Sequence, residues 1–546
     1  MSFSDLPLEL VQRICDYYVT EFREAPMDDE RFHCWPGDLR TICRKFDNAI
    51  QPLIFERITF NFRAEQFYGI ETQVKDLASS QCPAHLFTKC LHIYALRDLR
   101  FTPDTFHGSG QLGSSLTSPC FEELLTKAIR NLKNLRSLFW RIWDEYPVPL
   151  VIDALLSLES LTSVSIRYPD LHLSGFPTFS FSNLTHFSLS VGSPNYPGAR
   201  TEPDTIIEQR DSLLRQLEDL VLRSPNLARL SVSLDERFWH PVTTFLLTGT
   251  LESATQLEIL KLRGVQISSA NPINTHKLST LTITSCGAPS YTALLDQLMD
   301  TNVHLRVLKC GMVTKALINY INSYSGVEKL SLELAEIFYD DEDGDEAGDQ
   351  ETLPTPGVST SGVRTPNGRL SGKFGSILQK HQDTLAELSV RVPYGGPWCV
   401  TNQWADALVS CVKLVYLGIT LPSERLCDFS QDDDTTIGVV HVKNIITTCS
   451  THLRALKHLR IFSSNVPGFR DRYRRRRVSA QIEDMISRTI CELEIPDPAV
   501  YSFQIRKGCR VYEVQKGDEA VYRYCERRLD PQLVSNQSDS ESDYDL

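Results

Sequence analysis

"LARLSV", residues 227–232, puts apolar side chains at its first, fourth and sixth positions, Leu227, Leu230 and Val232. Arg229 and Ser231 fall between them, so the last four residues alternate with the period of a β-strand. The same L-x-x-L-x-L spacing, with conservative replacements, returns along most of the chain. It appears as LRSLFW from Leu135, LTSVSI from Leu161, LTHFSL from Leu184, LEILKL from Leu257 and LSTLTI from Leu278. LRVLKC from Leu305, VEKLSL from Val327, LAELSV from Leu385, LVYLGI from Leu414 and LKHLRI from Leu456 complete the series. A weaker copy, TKCLHI, begins at Thr88. Neighbouring units are mostly 21 to 30 residues apart.

Between these strands lie segments of helical periodicity, among them FEELLTKAIRNL, IIEQRDSLLRQLEDLVL, YTALLDQLM and TKALINYINSY. A short strand followed by a helix, repeated every 20 to 30 residues, is the pattern of an α/β leucine-rich-repeat solenoid. A large α/β enzyme with leucine-rich parallel strands gives the same local signal, and eleven units in one register favour the solenoid. The array is irregular. The asparagine or cysteine usual after the last leucine survives only as Cys286, so the backbone ladder it supports must be satisfied in another way. The long gaps before Leu227 and Leu456 have room for a degenerate unit each. The gap before Leu385 holds an acidic run and a Pro/Gly/Ser/Thr-rich stretch.

These boundaries predict repeats over 80–335 and 373–470, separated by a disordered insertion at 336–372. A cap follows at 471–530, formed by a helix around SAQIEDMISRTICELEI and by strands with a turn at Lys516-Gly517-Asp518, and then an acidic tail at 531–546. The formal net charge of −13 belongs to two segments. Residues 340–351 hold eight acids and residues 535–546 four; removing those twelve charges leaves −1. There is no long apolar run and no basic-flanked apolar leader, which points to the cytoplasm or nucleus and away from a membrane. The fifteen cysteines include no C-x-x-C pair and are expected as reduced thiols; His33, Cys34 and Cys43 lack a second ligand pair, so no metal site is expected.

The first residues need another explanation. LPLELVQRICDYY, residues 6–18, sets Pro7 at a helix start and repeats Leu6, Leu10, Ile14 and Tyr17 or Tyr18 at helical spacing. DLRTICRKFDNAIQPLIFERITF then resumes with Leu39, Ile42, Cys43, Phe46 and Ile50 on one side. Together, over residues 1–60, these halves resemble the F-box, a small helical motif often followed by leucine-rich repeats. The resemblance implies a partner, a Skp-type adaptor, and through it a cullin-based ubiquitin ligase. Leu6, Pro7, Leu10, Ile14, Leu39, Cys43 and Phe46 occupy the family's adaptor-facing positions. A bare helical cap on the first repeat is the alternative.

The third, fifth and seventh positions of each repeat strand point away from the leucines. Nine of the 33 such positions are basic: Arg141, Arg167, Arg229, Lys261, Arg263, Lys309, Lys329, Arg391 and Arg460. Two are acidic, Glu333 and Glu387. This concave stripe predicts a protein substrate that is acidic or phosphorylated. The acidic insertion is a candidate competitor for the same stripe. RDRYRRRR, 470–477, reads as a solvated connector, and no nucleic-acid fold accompanies it, so nucleic acid is not an expected partner.

No phosphate-binding loop, nucleophile elbow, zinc-protease or dinucleotide motif occurs, and the glycine-rich HGSGQLG at 107–113 has no Lys-Ser/Thr after it. No catalytic residue, cofactor or enzyme activity is expected. The leading expectation is a substrate receptor, with a leucine-rich-repeat scaffold outside ubiquitin chemistry as the alternative.

Overall fold

The computed structural model describes residues 6–24, 42–62, 67–79, 82–94, 119–141, 149–168, 180–192, 203–234, 255–265, 276–284, 288–333, 368–392, 399, 407–422, 437–464, 472–495, 503–507, 510–516 and 522–528. The chain is α/β and divides into two compact units, Met1–Lys277 and Leu278–Leu546.

The first unit opens with two helices, α1 (Leu8–Glu24) and α2 (Arg44–Ile54). Seven strands follow: β1 (Arg57–Asn61), β2 (Cys90–Tyr94), β3 (Ser137–Arg141), β4 (Ser163–Tyr168), β5 (His186–Val191), β6 (Arg229–Leu234) and β7 (Ile259–Arg263). Helices α3 (Phe67–Ala78), α4 (Ala84–Phe87), α5 (Pro119–Asn131), α6 (Pro149–Leu156) and α7 (Pro203–Arg223) come between strands. Each strand pairs in parallel with the next, and the register never slips. The fourth motif position therefore forms one line, Leu91, Leu138, Val164, Phe187, Leu230 and Leu260, across six strands.

The second unit continues the pattern with β8 (Thr280–Thr284), β9 (Val307–Cys310), β10 (Lys329–Glu333), β11 (Glu387–Arg391), β12 (Tyr416–Leu421) and β13 (His458–Ser463), parallel in that order. Its helices are α8 (Ala288–Asp300), α9 (Lys315–Ser323), α10 (Gly368–His381) and α11 (Ile437–His452). A different arrangement ends it. Helix α12 (Arg472–Glu492) leads to β14 (Glu494–Ile495), β15 (Gln504–Lys507), β16 (Arg510–Lys516) and β17 (Tyr522–Arg528). β15 extends the parallel sheet beside β13, and β16 and β17 turn antiparallel against it. In the hairpin Lys516 pairs with Tyr522, and Gly517 and Asp518 of the expected turn lie outside the described residues.

Why these strands form follows from the leucines. Leu227, Leu230 and Val232 are at most 1 % exposed, as are Val327 and Leu332, while the residues between them reach solvent. Each fully buried Leu or Val contributes about 1.5–3 kcal/mol relative to exposure, but only if the next unit covers it. The backbone repeats as faithfully. The N–H groups of Arg136 and Ser137 both donate to Lys89 O (2.8 and 2.9 Å). Ala228 and Arg229 donate to Thr185 O (2.8 and 3.1 Å), and Lys457 and His458 to Val415 O (2.8 and 3.1 Å).

The missing asparagine ladder is replaced at the turns that enter the strands. Asn131 Nδ2 donates to Leu77 O (2.8 Å), Ser160 Oγ to Leu135 O (2.7 Å), and Ser224 Oγ accepts from Leu184 N–H (3.2 Å). Tyr320 and Tyr324 hydroxyls donate to Val303 O and Leu305 O (2.8 and 3.1 Å). The bonds come from whichever polar side chain each turn provides, which is why no single residue recurs.

Several expectations change. No extra strand is inserted in the sheet across the gaps before Leu227 and Leu456: β5 pairs directly with β6, and β12 with β13, and the described residues of the two gaps are mainly those of the long helices α7 and α11. Residues 57–60, taken above with the N-terminal motif, belong to the first strand of the sheet, Arg57–Asn61. Residues 368–372, taken with the insertion, already belong to α10, and Arg472–Arg477 of the basic run begin α12 rather than a connector. The acidic run, the tail, the glycine-rich stretch at 107–113 and His33-Cys34 lie outside the described residues. Among the described residues, ten cysteines are free thiols, no His/Cys/Asp/Glu group has a metal-binding arrangement, and no helix is long and apolar enough to cross a membrane.

Candidate binding surfaces

Helix α1 carries two apolar faces. Val11 and Cys15, one turn apart, are fully buried against Phe46, Ala49 and Ile50 of α2, with Leu6, Cys43, Leu53 and Ile54 packed partly around them. Leu10, Ile14 and Tyr17, also one turn apart, lie about 100° round the same helix and point away from that core. They are 44 %, 39 % and 66 % exposed, and Leu8 beside them is 46 % exposed. Pro7 O accepts the N–H groups of Leu10 and Val11 (3.1 and 3.2 Å), which fixes the first turn, and Lys45 Nζ donates to Leu6 O (3.1 Å).

The seven positions expected to face an adaptor therefore separate. Leu10, Ile14 and Pro7 are exposed, Leu6 and Cys43 are half-buried at the edge of the small core, and Phe46 is inside it. Leu39 lies outside the described residues. The pair of helices is anchored to the sheet behind it. Buried Thr88 Oγ1 lies 3.0 Å from Phe55 O, just past α2, and 2.7 Å from Ala84 O; Lys89 Nζ pairs with Glu56 at 3.2 Å. A motif with so few buried side chains gains a rigid base from this stitching.

On the first unit's sheet, the outward residues of β1–β7 include no Asp or Glu. Arg141 and Arg167 stand side by side in register; Arg229 lies on β6, and Lys261 and Arg263 on β7. Between these groups the outward positions are small apart from His186 on β5: Ser165, Ser188 and Ser231 form one row, with Ser190 and Ser233 in the next. At the other end His92, Tyr94 and Phe139 cluster, with His92–Phe139 and Tyr94–Phe139 centroids 5.4 and 5.6 Å apart. Burial, aided by the Arg57 guanidinium, pushes the His92 pKa down to about 4, so the ring is neutral at pH 7. The sequence reading missed this cluster and Arg57, because Arg57, His92 and Tyr94 precede the first clear repeat and only charge was sought at Phe139.

The second unit's face is different. Lys309 pairs with Glu333 at 3.0 Å and Lys329 with Glu387 at 2.9 Å, so the only two outward acids of the repeat units neutralise two of the nine predicted cations. Arg391 and Arg460 instead meet at an aromatic ring: their guanidinium carbons lie 5.4 and 5.0 Å from the Phe462 centroid. Arg506, beyond the last repeat, is Arg460's register partner on β15. Phe462 and Arg506 were missed, the first because only charge was sought and the second because its strand follows the repeats.

Comparison of the sequence with protein-family models and with curated proteins finds no match.

Proposed function

We propose that this chain is the substrate-recognition subunit of a Skp–cullin–F-box ubiquitin ligase. In this reading α1 and α2 are an F-box-like module, and the parallel strands with their intervening helices are an irregular leucine-rich-repeat solenoid. The outward face of the strands receives an acidic or phosphorylated protein. Ubiquitin transfer belongs to other subunits, and this chain contributes proximity: it holds the target where the transfer takes place.

The observation that carries the reading is the second apolar face of α1. Leu10, Ile14 and Tyr17 lie at i, i+4 and i+7, alongside Leu8. That is the arrangement by which an amphipathic helix presents anchors to a partner's groove. A simple cap on the first repeat needs only the buried Val11/Cys15 face. The second observation is the absence of outward carboxylates on β1–β7, which suits an anionic target.

The test is co-purification of the full chain with a Skp-type adaptor, comparing the natural sequence with Leu10→Asp/Ile14→Asp. The natural chain retains the adaptor and the double variant loses it, with no change in thermal midpoint. Equal retention by both, or none by either, would remove the ligase assignment.

A further inference from the structure

The outward face of the second unit contains an arginine cluster whose geometry is set by one glycine. Gly418 on β12 lies between Ser389 on β11 and Arg460 on β13 in the sheet register. A Cβ there would sit 2.8 Å from Ser389 Oγ and 3.3 Å from Phe462 Cε2. The missing side chain is what lets the Phe462 ring lean across β12 from its own strand. Lying there, the ring comes within reach of Arg391, which is two strands away from it, as well as of Arg460 beside it. Both guanidiniums rest on one aromatic surface, so neither needs to be ordered from a free rotamer when a ligand arrives.

Arg506 adds a third positive charge next to Arg460. No carboxylate occupies an outward position of β12, β13 or β15, where the exposed or half-exposed neighbours are Tyr416, His458 and Gln504. The carboxylates on the strands to either side have other partners: Glu387 binds Lys329, and Glu513 on β16 is 2.7 Å from Gln504 and 3.7 Å from Arg527.

We propose that Arg391, Arg460 and Arg506, arranged around Phe462 and Gly418, bind one phosphoryl group on a protein segment. The proposal rests on the reading that this face receives the target, and it specifies the target's chemistry. A phosphate monoester carries close to two negative charges at pH 7 and three acceptor oxygens, which suits several guanidinium forks better than a single carboxylate does. A nucleic acid would need cations repeated along the face to follow its backbone. The adjoining lysines are closed off by Glu333 and Glu387, so among the described residues of this face the positive charge is one spot rather than a track.

The experiment uses the full chain and three fluorescein-labelled peptide mixtures with degenerate flanks, carrying a central phosphoserine, serine or aspartate. Anisotropy titration is expected to show the phosphoserine mixture binding at least about tenfold more tightly than either control, with inorganic phosphate competing. Arg391→Gln/Arg460→Gln should lose most of that preference, Arg506→Gln part of it, and Gly418→Val should weaken it by displacing the ring. Thermal midpoints identify any variant that fails to fold, and the single Arg506→Gln change, on an outward position, keeps the test available in that case. Equal binding of all three mixtures, an unchanged preference in the arginine variants, or tighter binding of a labelled single-stranded oligonucleotide would overturn the proposal. Adaptor capture by the same proteins reads the ligase assignment alone, so failure of one is not failure of the other.

Discussion

His381 makes three backbone hydrogen bonds from one buried ring. Nε2–H donates to Ile321 O at 3.1 Å, and Nδ1 accepts the N–H groups of Gly326 and Val327, each at 3.2 Å. Gly326 has φ +114°, a conformation that only glycine adopts without strain, and it turns the chain so that two consecutive N–H groups face the ring. The geometry requires a neutral imidazole, since a proton on Nδ1 would confront both donors. Burial holds the His381 pKa below the usual histidine value, against a raising effect of the Ile321 bond, and it does the same for His92. Both groups therefore bind protons more readily unfolded than folded. Their contribution to stability is complete above about pH 6.5, the unfolded histidine value, and is lost as pH falls from there toward their folded values, about 4 for His92. Urea midpoints measured between pH 7.5 and 4.5 should decline below 6.5, and His381→Leu should remove part of that slope. The same substitution leaves Ile321 O, Gly326 N and Val327 N without the ring, and should cost about 2–5 kcal/mol by denaturant unfolding. None of this could be read in the sequence, where His381 is one of thirteen scattered histidines.

At the scale of the element, the leucine spacing told most of the story because it is a burial pattern before it is a motif. All eleven clear units became strands, and the weaker TKCLHI became β2. Leu330→Ala on β10 removes a side chain 2 % exposed from the middle of this stack and should cost about 2–5 kcal/mol. Helix α1 was harder to read. A single apolar stripe, Leu6, Leu10, Ile14 and Tyr17, looked like its one amphipathic face. The face that packs on α2 is a second one, Val11 and Cys15, too short to stand out beside it. The two faces predict opposite outcomes for the same chemistry. Val11→Asp buries a carboxylate beside Phe46 and Ile50, and limited proteolysis should then cut within residues 8–54 faster than in the natural chain. Leu10→Asp and Ile14→Asp should leave the cleavage rate unchanged.

On the scale of the whole molecule, the leucines fixed the register, and all nine predicted cations are at least partly exposed, although the expected outward positions Gly418 and Thr420 on β12 are buried. It could not say which of them stay positive, because neutralisation depends on neighbours brought together by pairing. Lys329 and Glu387 lie 58 residues apart in the chain and face each other in register. The cap has a physical consequence of its own. β15 covers the open edge of β13, and β16 and β17 extend it. A chain ending after residue 464 would present β13 as a bare parallel edge and should form oligomers in size-exclusion chromatography with light scattering, where the full chain runs at its own mass. Hydrogen–deuterium exchange of the full chain with and without a Skp-type adaptor reads the proposed docking face of α1 directly. New protection is expected across residues 8–17 and none in β8–β13; unchanged exchange in α1 at saturating adaptor would rule out the ligase assignment.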